Sequence, residues 1–215
     1  MHRLGDELSE YHGKVLLTSL TRANIEAPHP VRFISDLNGS SVAGQFTTNN
    51  PLYLMHRGDH PQKLLGLKEE ELVSLLAVSD VALCECDGSK NLPLKQHNDR
   101  DPVAPDYSSH IIVVVGADSV GMTIGSGRVH RPELFAKMWN VGFNDELDAE
   151  LVAEVVTSKV GYMSKVRPNQ RVSYYVNKSD INRHHARDLA SAIASITGDV
   201  CYVGSLRAGG LERVE

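Results

Sequence analysis

The chain has 215 residues, 41% hydrophobic and 23% charged, with a formal net charge of −5 at pH 7. That balance suits a globular protein and excludes the basic face that a nucleic acid or an anionic membrane surface requires. No apolar run approaches the ~18 residues that span a bilayer, and the start "MHRLGDELSEYHG" lacks a signal peptide's apolar core, so a cytoplasmic protein is expected.

In chain order, helical spacing of apolar residues predicts a helix over about 2–11, and "KVLLTS" a strand over 14–19. Stretch 20–40 reads as loop, with "VRFIS" and "SVAGQF" (41–46) as weaker strands. A helix is expected over 68–78, a strand over 80–86 ("DVALCEC") and a long loop over 88–109. Strand "HIIVVVG" (110–116) follows, then helices at 131–139 and 145–157, strand "RVSYYVN" (171–177), a helix at 182–196 and strand "DVCYVGS" (199–205). Arg131-Pro132-Glu133 makes a good helix start, and Gly198 a good stop before the last strand. Alternating helices and apolar strands imply an α/β fold: a mainly parallel sheet with helices on both faces, in a single domain over 1–215.

Cys84 and Cys86 are two apart on a strand and share a face, which permits a metal pair. No second Cys/His pair follows at zinc-site spacing, so both, like Cys201, read as small buried hydrophobes. His184-His185 reads as a solvated pair.

Parallel sheets bind ligands beyond the carboxyl ends of their strands, so the residues there are the candidates. Strand 80–86 carries Glu85 and ends in Asp87-Gly88-Ser89-Lys90, where acids can hold Mg²⁺ and Lys90 and Lys95 can neutralise phosphate. A solvated Asp-Gly turn is the plain alternative. Strand 171–177 ends in Asn177-Lys178-Ser179-Asp180. A carboxylate such as Asp180 can accept the adjacent N1–H and N2–H₂ of guanine, while the lysine stem lies on the base and the Asn amide ties the loop to a neighbouring strand. The alternative is that Asn and Asp cap the helix at 182. Gly204-Ser205 follows the next strand and suits a backbone N–H reaching the base oxygen. Thr18 is a weaker phosphate or metal candidate. Arg128, His130 and Arg131, after the glycine-rich "VGMTIGSG", suit an anion or a solvated basic cluster.

The blocks "ECDGSKNLPLK" (85–95), "DPVAP" (101–105), "VVVGADSVG" (113–121), "HRPELF" (130–135), "VNKSD" (176–180) and "VGSLR" (203–207) resemble, in this order, the YqeC family. These are described as selenium-dependent hydroxylase accessory proteins, or selenium cofactor biosynthesis proteins. The resemblance implies a P-loop-NTPase-like fold related to cofactor-maturation GTPases. It also implies a role in maturing selenium- and molybdenum-dependent hydroxylases, whose enzymes or maturation proteins would be partners. Glu85 and Asp87 would then sit at the Mg²⁺ and γ-phosphate position, as catalytic residues, and Asn177, Lys178 and Asp180 would read GTP. Lys90 and Lys95 would belong to the family's own loop. The family pattern opens with a strand and a Gly-rich phosphate loop. Here Met1 falls inside the helix that would follow, and a "TTT"-like run is replaced by Thr18-Ser19-Leu20-Thr21. The chain therefore reads as N-terminally truncated, with about 20–30 further residues carrying Gly-x-x-x-x-Gly-Lys-Ser/Thr expected upstream. Two other readings stand beside this one: a non-hydrolysing scaffold or cofactor carrier, and an unrelated α/β enzyme acting on a small anion through Lys90, Arg128 and Arg131.

Overall fold

The computed structural model describes residues 1–25, 27–37 and 42–214. The chain, expected from its sequence to be one domain, forms two compact units, Met1–Gly88 and Ser89–Glu215. The boundary falls inside the block "ECDGSK".

The first unit contains α1 (His2–Ser9), β1 (Val15–Ser19), β2 (Ala23–Asn24), β3 (Val31–Phe33), α2 (Val42–Gln45), β4 (Leu52–Arg57), β5 (Lys63–Leu65), α3 (Glu69–Leu76) and β6 (Val81–Glu85). Its sheet runs β2-β5-β4-β1-β6, with β3 also on β4. Strands β3, β4, β1 and β6 are parallel, while β5 and β2 add antiparallel pairs. All five residues of β1 are buried, as expected of a strand covered on both faces. The two-residue period sorts them. Val15 and Leu17 join Tyr53, Met55 and Leu8 of α1 on one face; Leu16 joins Leu52, Leu54 and Leu72 and Leu75 of α3 on the other. The strand expected over 41–46 is instead the short helix α2 from Val42, with position 41 outside the described residues. Phe46, just beyond α2, is the one residue of that run that is buried, against Leu16 and Leu52. One inward side chain per turn needs no strand.

The second unit contains β7 (Leu94–Lys95), β8 (His110–Gly116), β9 (Val129–His130), α4 (Pro132–Trp139), α5 (Ala149–Thr157), β10 (Arg171–Asn177), α6 (Arg183–Thr197), β11 (Val200–Gly204) and β12 (Leu211–Val214). Its main sheet runs β12-β11-β10-β8, parallel except for β12, and β7 pairs with β9 in a separate parallel ladder. Val113, Val115, Tyr174, Val176, Cys201 and Val203 face Val152 and Val156 of α5 and Leu189 and Ile193 of α6. The fold is thus α/β with mixed sheets, parallel in parts. The expectation that every strand is covered on both faces fails at β8. This strand lies at a sheet edge and alternates strictly, burying Val113 and Val115 while Ile112 and Val114 stay 46% and 52% exposed. Among the described residues, no helix is long and apolar enough to cross a membrane.

Helix α6 starts at Asn182, whose side-chain oxygen accepts a hydrogen bond from His185 N at 3.1 Å. Asp180 does not cap it. Asn182→Ala is therefore expected to lower stability by about 1 kcal/mol in urea denaturation. An unchanged midpoint would show the cap to be idle.

Candidate functional site

Three parallel strands of the second unit end side by side, because Asn177 is in register with Gly116, and Val176 with Val203. Their carboxyl ends bring Asp118, the 177–180 loop and Gly204-Ser205 to one rim. Two hydrogen bonds fix the loop. Asn177 Oδ1 accepts from Leu206 N at 3.1 Å, and Ser179 N donates to Gly204 O at 3.1 Å. Ser205 is buried; its hydroxyl oxygen accepts from Ala208 N and its carbonyl from Gly209 N, both at 2.9 Å. At Gly204 a Cβ would lie 2.5 Å from Gly210 O, so the close approach of these loops needs a glycine.

Lys178 adopts a left-handed backbone, φ 66°. Its ammonium donates to Asp118 Oδ2 at 3.0 Å, and Arg128 binds the same oxygen. A Cβ at Gly116 would sit 2.3 Å from Asp118 Oδ1, so that glycine gives the carboxylate its room. Asp118 Oδ1 is buried without a hydrogen-bond partner among the described residues. Sequence reading missed Asp118, although it lies in "VVVGADSVG"; only the strand register reveals its place beside Lys178. Asp180, by contrast, is exposed and makes no hydrogen bond or ion pair among the described residues. Its carboxylate is open to a ligand.

The predicted anion ligands fare differently. Lys95 is 3% exposed, its Nζ 2.6 Å from Asp101 Oδ2. Arg131 grips the same carboxylate with two bonds, 3.1 and 2.8 Å, and also donates to Gln96 O at 2.8 Å. Burial works to raise the Asp101 pKa, but the bonds from Arg131, Lys95 and Asn98 N outweigh it and hold the carboxyl well below its usual range. Trp139 Nε1 donates to Gln96 Oε1, and Lys95 N to Tyr162 Oη, which tie this cluster to α4 and to the loop after α5. Lys95 and Arg131, expected as anion ligands or else as solvated charges, are thus engaged inside the fold. His130, paired with Lys95 in the small ladder, is pushed below its ordinary pKa by burial and by the charges of Arg131, Lys95 and Lys90. That shift disfavours the charged form in which an imidazole best holds an anion. Lys90 is exposed, with φ 56°. Arg128 is tied to Asp118.

In the first unit, Thr18 is fully buried and its hydroxyl donates to Leu54 O at 2.8 Å, which removes it from phosphate or metal binding. Glu85 and Asp87 are half-buried at the end of β6. Burial, and the neighbouring Asp87 charge, push the Glu85 carboxyl up. Cys84 and Cys86 are also half-buried, against the expectation of sealed hydrophobes; Cys201 alone meets it, at 0% exposed. Cys86 Sγ donates to Cys84 O and Cys84 Sγ to Glu85 O, and the nearness of the two thiols pushes Cys84 up and Cys86 down. In the second unit, His184 is solvated as expected, 84% exposed and 3.3 Å from Asp188, while His185 is half-buried.

The sequence model of one family, described as YqeC protein, matches residues 1–133, more than half of the chain. That span takes in the Glu85–Lys95 block and Arg131-Pro132-Glu133; the 177–180 loop lies outside it. The curated "Uncharacterized protein YqeC" of Escherichia coli (strain K12) is 26% identical over 178 residues, 80% of this chain and 68% of that one. No solved structure matches. The ordered blocks, the strand-end geometry and the match over 1–133 lead to one conclusion: the chain belongs to the YqeC family.

Proposed function

We propose that this protein is an accessory factor in the maturation of selenium- and molybdenum-dependent hydroxylases, and that it reads a guanine nucleotide at the rim of its second unit. The observation that carries the nucleotide reading is Asp180: an exposed, unpartnered carboxylate on a loop pinned at both Asn177 and Ser179. A loop held this way costs little to order on binding, so its two acceptor oxygens meet the paired donors of guanine with little entropy lost. Lys178, its ammonium fixed by Asp118, presents its stem to the flat face of the base, and Ser205 N–H is assigned to the base oxygen. The maturation role rests on the family resemblance.

Glu85 and Asp87 fit a divalent cation. Two neighbouring carboxyls at one strand end repel one another, and a hard cation relieves that repulsion. The parallel strands with chemistry at their carboxyl ends suit a P-loop-NTPase-like fold.

Equilibrium binding of GTP and ATP, each with and without Mg²⁺, tests the nucleotide reading. GTP is expected to bind at least about tenfold more tightly, or roughly 1.4 kcal/mol. Equal affinity overturns the guanine assignment. For the maturation role, cells lacking this protein are expected to yield hydroxylase without selenium-dependent activity; full activity would reject it.

A further inference from the structure

The carboxyl end of β6 presents soft and hard chemistry on opposite faces. Cys84 packs with Ala82 toward the Leu16–Leu54 cluster, whereas Leu83 packs toward Val15 and Leu17, so Glu85 follows Leu83 to the other side. Cys86 returns to the face of Cys84. Its Sγ lies 3.4 Å from Cys84 O, and Cys84 Sγ lies 3.8 Å from Glu85 O. Each thiol thus donates to a backbone carbonyl within the Cys84–Cys86 segment, both are half-buried, and neither is in a disulfide.

Direct oxidation suits this pair poorly. Residues two apart on a strand are separated by about 6.6 Å, at the long end of the Cα spacing a disulfide tolerates. An atom placed between the sulfurs relieves that stretch. Zinc would need further ligands, and among the described residues no three His, Cys, Asp or Glu side chains are arranged to hold a metal. Mg²⁺ prefers oxygen. What two thiolates alone satisfy is a soft ion of low coordination number.

We propose that Cys84 and Cys86 form a two-thiolate site for a soft monovalent metal ion of the copper(I) class. On binding, each thiol releases its proton to solvent and donates a sulfur lone pair to the ion; no atom changes oxidation state. Half-burial keeps the pair reachable while Leu16, Leu52 and Leu54 shelter its inner side from water. The site is independent of the nucleotide reading and does not compete with the carboxylates, because hard and soft cations sort between the two faces.

The test uses the full chain, reduced and anaerobic, titrated with Cu(I) against the chelator bathocuproine disulfonate. One equivalent is expected to be withdrawn from the chelator, with thiolate-to-copper absorption in the ultraviolet. Cys84→Ser and Cys86→Ser should each abolish this, and Cys201→Ser should leave it intact. If a serine variant fails to fold, the parent still decides: Cu(I) should shield Cys84 and Cys86 from iodoacetamide, mapped by mass spectrometry. No withdrawal from the chelator, unaltered alkylation with Cu(I), or retention in both serine variants would overturn the proposal. So would one equivalent of Zn²⁺ held against chelators and lost with either cysteine.

Discussion

Replacing Asp101 with alanine is expected to destabilise the protein by about 3–5 kcal/mol, because a buried charge pair is broken from one side. Lys95 is 3% exposed, and its ammonium has Asp101 as counter-charge; Arg131 spends two of its five donors on the same carboxylate. Asp101→Ala leaves the two cations facing each other with their shared carboxylate gone. Asp101→Asn keeps one acceptor and loses the charge, so it should fall between parent and alanine. Urea denaturation gives the ranking, and a loss below about 1 kcal/mol for alanine would show that Lys95 escapes to water. Acid should reproduce the effect. The Asp101 pKa is depressed in the folded state, so its contribution is complete above the unfolded carboxyl value of about 4 and fades as pH falls below it. His130 adds an earlier step. Its folded pKa lies below the unfolded value of about 6.5, so the folded state resists protonation and stability begins to fall once pH drops through that value. In Asp101→Ala the step near pH 4 should shrink and the His130 step should remain.

The largest expected effect on binding is at Asp180. If the 177–180 loop reads guanine, Asp180→Asn should weaken GTP by about 2–4 kcal/mol, since two charge-assisted bonds are lost. The same substitution should favour xanthosine nucleotides, because the amide offers a donor where xanthine carries a carbonyl. The geometry keeps this experiment clean. Asp180 is exposed and has no partner among the described residues, while the helix cap is Asn182. The variant should therefore unfold at the parent's urea midpoint. GTP binding unchanged in Asp180→Asn would reject base reading by this loop, whatever the nucleotide preference of the parent.

Residues with strong local patterns were legible in the sequence. All five main strand expectations, and all five helices, appear within a few residues of their predicted ends. Missed strands lacked either length or a clean period. β4 holds only "LYLM" as apolar run, between Asn50-Pro51 and the polar His56-Arg57. β12 alternates weakly in "LERV" and shows Leu211 67% exposed, so its inclusion depends on pairing with β11, not on burial. The rim residues Asn177, Lys178 and Asp180 could be found because one strand and one loop carry them. Asp118 could not, since its meaning comes from a register that joins residues sixty apart. The fate of Lys95 and Arg131 was likewise hidden. A lysine in a loop-like stretch reads as solvated until Asp101 is seen to pair with its ammonium and Tyr162, from a distant part of the chain, to hold its backbone N–H.

The open flank of β8 has a consequence for how the molecule behaves among its own kind. Seven residues, "HIIVVVG", run along a sheet margin with neither lysine nor proline to discourage pairing, and no bulge breaks their register with β10. Gly116 N–H on that flank donates to Pro93 O, and the stretch before it lies beside the exposed side chains of Ile112 and Val114. Any extended chain with alternating apolar residues gains both hydrogen bonds and dry contact by lying there, and at high concentration the nearest such chain is another β8. That edge is an association site in addition to the exposed apolar side chains elsewhere, such as Leu211 on β12. The net charge of −5 keeps molecules apart only while salt is low, because repulsion between exposed charges fades beyond about 10 Å at 0.1 M ionic strength. Solubility should thus be lost by salting at moderate ionic strength well before the cores of the two units loosen.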